Sequence, residues 1–118
     1  MTDTKPLQPH GIARIWKGRT APENADAYTR YMFTEGVRKL ESLGARGVQF
    51  FREDTAEHSE FIVISLWDTV AAMTAWAGDN PRKIRHLERD PELLLDLPDR
   101  VQILDVYSNS FFLSDAFR

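Results

Sequence analysis

The sequence predicts an α+β fold in which helices cover one face of a four-stranded antiparallel sheet, and three observations carry that expectation. Four segments alternate apolar residues with a two-residue period. Two stretches between them repeat apolar residues every three or four positions. The two kinds follow one another as strand, helix, strand, strand, helical region, strand, which is the order of a ferredoxin-like split βαβ unit.

Residues 1–10 carry Pro6 and Pro9 among polar side chains and read as a flexible N-terminal arm. The first strand, 11–17, places Ile12, Arg14 and Trp16 on one face and Ala13 and Ile15 on the other. Thr20-Ala-Pro-Glu23 then has the form of a helix start. The Thr20 oxygen can accept from a free backbone N–H, Glu23 reaches back, and Pro22 sits where no N–H is needed. The helix it opens is expected to run to about Leu43, with Ala27, Tyr28, Tyr31, Met32, Leu40 and Leu43 as one apolar stripe. Gly36 interrupts the stripe and Gly44 ends it.

Strands at about 47–53 and 60–67 follow, joined by the polar loop 54–58 as a hairpin. In the second of them Phe61, Val63, Ser65 and Trp67 share one face and Ile62, Ile64 and Leu66 the other, so both faces must be covered. Asp68 is placed to cap a helix over 69–77 that turns Val70, Met73, Trp76 and Ala77 inward. Gly78-Asp-Asn-Pro81 breaks it. Pro81 opens a helical segment through Leu87, and Asp90 caps a short helix with Pro91 in its first turn. A last strand spans 100–107. Residues 108–118, with Phe111, Phe112, Leu113 and Phe117, form an apolar C-terminal tail expected to dock on its own domain or on a partner.

Helices on one face and apolar residues on the other predict a homodimer with sheets packed face to face, burying a patch of roughly 800 Å² per partner. A chain of 118 residues fits one domain, taken as 11–107. The formal charge of −3, with both signs interspersed, offers no basic stripe, so neither nucleic acid nor an anionic membrane is an expected partner. There is no cysteine, which removes disulfides, thiolate metal sites and cysteine nucleophiles. The start of the chain lacks the layout of a signal peptide, and no apolar run approaches the ~20 residues that cross a bilayer, so a cytoplasmic location is expected. No paired histidines stand at metal-ligand spacing, and no phosphate loop or nucleophile elbow is present.

The segments Ala13-Arg-Ile-Trp-Lys-Gly-Arg-Thr20, Ala25-Asp-Ala-Tyr28, Gly36-Val37 and Ser65-Leu-Trp67 resemble a bacterial branch of the antibiotic-biosynthesis monooxygenase family, over about residues 11–107. That resemblance implies a dimeric α+β barrel. It also implies one of three activities: cofactor-free oxygenation of polyphenols, haem-degrading monooxygenation, or non-catalytic binding. The spacing of Trp67, Trp76 and His86 resembles the tryptophan, tryptophan and histidine of the haem-degrading branch, but Gly11 stands where that branch has a strand asparagine.

The leading expectation is an oxygenase-like protein that needs no cofactor and binds a flat apolar or phenolic molecule between helices and sheet. His86 would be the base, Trp76 and Phe61 the aromatic walls, and Tyr28 or Tyr31 the hydroxyl donor. Under the haem alternative His86 ligates iron. Each residue also has a structural reading. His86 sits in the charged run Arg82-Lys-Ile-Arg-His-Leu-Glu-Arg89, which is more often a solvated helix face. Trp67 reads as core, and Trp76 equally as core or ligand wall. If the face bearing Arg14 and Trp16 looks toward the helices, the pair can hold an anionic or enolate oxygen. If it looks toward the dimer interface, Arg14 pairs with a carboxylate such as Asp105, and that reading is favoured because buried arginines are usually paired.

Overall fold

The structure is a computed structural model and describes residues 7–80, 82 and 86–110. Strands β1 (Ile12–Thr20), β2 (Gly47–Asp54), β3 (Ser59–Trp67) and β4 (Gln102–Asp105) form one sheet in the order β2-β3-β1-β4. Every neighbouring pair is antiparallel. Between β1 and β2 run a short 3₁₀ turn (Pro22–Asn24), α1 (Ala25–Met32), a π-helical segment (Phe33–Val37) and α2 (Arg38–Ser42). Helices α3 (Val70–Ala77) and α4 (Asp90–Leu93) lie between β3 and β4. This is an α+β fold with a four-stranded antiparallel sheet, compatible with the split βαβ expectation.

The two-residue alternation of β1 and β3 sets which side chains meet the helices. Across the central pair, Ile12 faces Trp67, Arg14 faces Ser65, Trp16 faces Val63 and Gly18 faces Phe61. These residues alternate with the outward set and lie on the buried side. Trp16, Tyr28, Met32, Leu40, Phe61, Val63, Trp67, Met73 and Trp76 make one continuous core between sheet and helices. A Cβ on Gly18 would stand only 2.5 Å from the Trp16 ring, so the absence of a side chain there lets the indole lie along the strand. Arg52 ties β2 to α1 through Nη1 bonds to Asp26 (2.8 Å) and Thr29 (3.0 Å).

Several local expectations change. Thr20 does not cap a helix. It is the last residue of β1, fully buried, paired with Ser59 and bridged to Leu94, because a sheet ladder satisfies more backbone than one capping bond does. Thr69, not Asp68, caps α3: its Oγ1 accepts from the Ala72 N–H at 3.0 Å, while Asp68 lies 3.7 Å from Arg46. Val70, the first residue of α3, is exposed rather than inward. The first long helix is divided by the π-helical turn containing Gly36. The last strand is four residues, Gln102–Asp105, although the Val106 N–H bonds the Gly11 carbonyl and the His10 N–H the Val106 carbonyl just beyond it.

Most of the expected helical segment from Pro81 lies outside the described residues. Its described members Arg82, His86 and Leu87 are not helical. Of the N-terminal arm, residues 1–6 lie outside the described residues, as do Phe111, Phe112, Leu113 and Phe117 of the tail. Among the described residues no helix is long and apolar enough to cross a membrane.

Candidate functional site

Arg14 is the anomaly of the core. The alternation of β1 sends its side chain toward the helices, where it is 4% exposed, and its Nε and Nη2 have no hydrogen-bond partner among the described residues. The favoured sequence reading, an interface arginine paired with Asp105, is therefore overturned. The register between β1 and β4 puts Ile103 opposite Arg14 and Asp105 opposite Ile12, and Asp105 is exposed. Burial lowers the Arg14 pKa from 12.5 to about 10, so the group remains a cation at neutral pH. An ion taken out of water costs several kcal/mol unless something pairs with it, so a buried unpaired cation marks a place where function is the more natural explanation.

A second buried charge borders the same space. Asp90 is 1% exposed; its Oδ1 accepts from the Tyr28 hydroxyl at 2.9 Å and its Oδ2 from the Leu87 N–H at 2.9 Å. Burial raises its pKa, an effect opposed by those two bonds and by the charge of nearby His86. Arg14 and Asp90 form no ion pair with each other. Both line a hollow of about 20 Å³ whose other walls are Trp16, Met32, Gly36, Leu40, Val63, Trp76 and Leu87. That is about the space of one water.

The π-helical turn shapes one wall. It brings Gly36 against Met32, whose sulfur occupies the place a Cβ on residue 36 would need. The wall is thus made of an unbranched thioether with three rotatable bonds, the side chain best able to move without disturbing backbone.

The remaining sequence candidates divide. Trp16 and Trp76 line the hollow beside Arg14. Tyr28 is fully buried, with its hydroxyl already donating a hydrogen bond to Asp90, and burial followed by the Asp90 charge raises its pKa far above the usual phenol value. It also forms the centre of an aromatic block, stacked on Trp16 (6.3 Å) and edge-on to Phe61 (5.1 Å). Phe61 belongs to that block and stacks on Phe50 at 5.8 Å; it does not line the hollow at Arg14 but a separate one of about 270 Å³, with Gly18 and Ile62. Trp67 is core, its indole N–H donating to Ser65 Oγ at 2.9 Å.

Tyr31 accepts from the Arg89 N–H at 2.8 Å and lines a separate surface groove of about 450 Å³. The His86 side chain is exposed and does not line the hollow that Trp76 lines. Among the described residues, then, the hollow at Trp76 has no histidine placed to hold a haem there. A larger hollow of about 320 Å³ opens at the strand ends, but its charged members Arg46 and Asp68 are exposed and pair with each other. Among the described residues no group of three histidine or carboxylate side chains is placed to hold a metal ion.

Asp90 is the residue that sequence reasoning passed over. Asp90-Pro91 reads as an ordinary helix start, and that local role hides a carboxylate that Tyr28 reaches from 62 positions away. No protein-family model matches the chain, and no curated protein matches it.

Proposed function

We propose that the protein binds a flat, mostly apolar small molecule carrying an acidic hydroxyl, such as a phenol or an enol, and holds it as the anion at Arg14. The observation that carries this reading is the buried guanidinium of Arg14, a residue that lines the mostly apolar hollow and whose Nε and Nη2 have no hydrogen-bond partner among the described residues. An oxyanion there meets two charge-assisted donors in a site of low polarity, where such bonds are strongest. Stabilising the anion lowers the ligand's pKa, and an electron-rich phenolate or enolate can give an electron to dioxygen directly. Cofactor-free oxygenation, which the strand motifs imply by resemblance, is the chemistry this site suits. Titration with a phenol, followed through fluorescence of Trp16 and Trp76, tests the binding; an Arg14→Met protein that binds equally well would overturn it.

A space of about 20 Å³ holds no aromatic ring, so binding requires a wall to yield, and Met32 is that wall. Met32→Ala is expected to tighten phenol binding several-fold even though it lowers stability through lost packing. Unchanged or weaker binding by that variant would place the entrance elsewhere.

The active form in this proposal is a homodimer. The outer sheet face carries Ile15, Ile62, Ile64 and Leu66 half-buried, with Phe51 and Leu104 at 48% and 43% exposure. A contiguous apolar face of this kind favours a second copy. Ile64 lies between Ile15 and Gln49 on the two central pairings. Ile64→Lys is therefore expected to move the particle in light scattering from about twice 13.6 kDa to a single chain. A wild-type protein that already runs as a monomer would remove the dimer from the proposal.

A further inference from the structure

The pairing of β1 leaves a notch in the sheet. β4 pairs only with Ile12 to Ile15, and the next contact on that edge is the bridge from Thr20 to Leu94, backed by the Leu95 N–H donating to the Arg19 carbonyl at 2.9 Å. Five steps along β1, from Ile15 to Thr20, are thus matched by eight along the returning chain, from Leu94 to Gln102. Three residues are surplus, and the loop that holds them bulges away from the strand. A hollow of about 270 Å³ occupies the gap, lined by Lys17, Gly18 and Arg19 from the strand and by Asp96 and Pro98 from the loop, beside Glu60. Its size is close to the lower end of small-ligand pockets.

Alternation fixes which backbone groups face the notch. In an antiparallel sheet each residue turns its N–H and C=O to the same neighbour, and successive residues turn to opposite ones. Gly11 and Arg19 both present their carbonyls on the β4 side, to Val106 and Leu95, and β1 pairs with β3 in unbroken register from Ile12 to Thr20. Lys17 therefore turns both its N–H and its C=O into the notch, and neither has a hydrogen-bond partner on that edge among the described residues. A donor and an acceptor on one extended residue are complemented by an N–H and a C=O flanking a single Cα, which is the repeating unit of a peptide. The charges around the notch balance, Lys17 and Arg19 against Glu60 and Asp96, and Arg19 already meets Asp96 at 3.4 Å. A neutral amide suits such a site better than an ion.

We infer that the notch is a binding site for one extended N-acyl aminoacyl unit, held by the Lys17 backbone as a single added rung of the sheet. The unit belongs either to a peptide laid along β1 or to a free N-acyl amino acid amide. The site is separate from the Arg14 hollow and stands or falls independently of the anion reading there.

The experiment is an amide-resolved NMR titration of the full chain with three probes: N-acetyl-leucine methylamide, its ester analogue in which oxygen replaces the leucine N–H, and the acetylated and amidated tripeptide Ala-Leu-Ala. The first is expected to shift the Lys17 N–H resonance downfield and saturably. The ester is expected to bind about fivefold more weakly, because the Lys17 carbonyl loses its donor. A tripeptide that binds at least about fivefold tighter than the single unit supports the site with a peptide as its source, and equal affinities support it with the free N-acyl amino acid amide. Equal affinities for ester and amide would overturn the rung, as would a Lys17 resonance that none of the three moves. Shifts confined to β2, the strand at the sheet's outer edge, would overturn it in favour of addition at that edge. No substitution is needed, so the outcome does not depend on a variant that folds.

Discussion

Arg14→Met is expected to make the protein more stable while abolishing phenol binding. Methionine fills much of the same volume without a charge, so the variant keeps the packing of Trp16, Val63 and Trp76 and removes a cation whose Nε and Nη2 have no partner among the described residues. Replacing buried ionic groups by apolar ones of similar size often stabilises by ~1–4 kcal/mol, and here Nε and Nη2 have no hydrogen bond to lose among the described residues. A gain of about 3 kcal/mol corresponds to a rise in Tm on the order of 10 °C for a domain of this length. Opposite signs for stability and binding are the mark of a functional group held at a cost to the fold. A variant that melts at or below the wild-type temperature would mean that the guanidinium is already satisfied, and the anion site would go with it.

Tyr28→Phe is expected to cost about 2 kcal/mol near neutral pH and much less near pH 4, because it removes a hydrogen bond to a buried charge. Burial holds the Asp90 pKa above its unfolded value, so the folded protein keeps that proton to higher pH than the unfolded chain does. The contribution of Asp90 is then most favourable below the unfolded carboxylate pKa and is lost as pH rises through the folded one. The Tyr28 hydroxyl lowers the folded pKa and limits that loss. Without it the loss deepens, so the stability difference between wild type and Tyr28→Phe should grow from about pH 4 to about pH 8 in denaturant melts. A difference independent of pH would show that the Tyr28 bond does not depend on the charge of Asp90. The shape of Phe fits the aromatic block with Trp16 and Phe61, so packing contributes little to the difference.

Much of the fold is readable from alternation alone. Period-two patterns separate Ile12, Arg14 and Trp16 from Ala13 and Ile15, and Phe61, Val63 and Trp67 from Ile62 and Ile64, and the structure keeps both divisions. What alternation cannot supply is which of two apolar faces the helices choose. For β1 that choice decides the meaning of Arg14, and the pairing heuristic for buried arginines favours the wrong side. The π-helical turn is equally hidden: Gly36 marks a weak point in a helical pattern, but whether the chain kinks, ends or widens there depends on the packing of Met32 against it.

The candidate site shows the same division. Trp16 and Trp76 are legible as aromatic residues suited to line a pocket, and they do meet beside Arg14. His86 draws attention as a titratable group at a suggestive spacing, but its side chain is exposed, as its charged neighbours imply. Tyr28 is picked out as a hydroxyl donor; the structure spends that donor on Asp90, a partner 62 residues away that no local pattern connects to it.

By itself, then, the sequence determines the order of strands and helices, the two faces of each central strand and the set of large aromatic residues that must be buried, because these follow from periodicity and hydrophobicity, which are local properties. Only the tertiary structure decides that a cation and a carboxylate are buried at the same hollow without touching. Burial, desolvation and the pairing of charges depend on groups distant in the chain, and the register of β1 against β4 together with the placing of α4 against α1 brings them there. The strand motif around Arg14 and Trp16 thus carries its chemistry through the company it keeps in space.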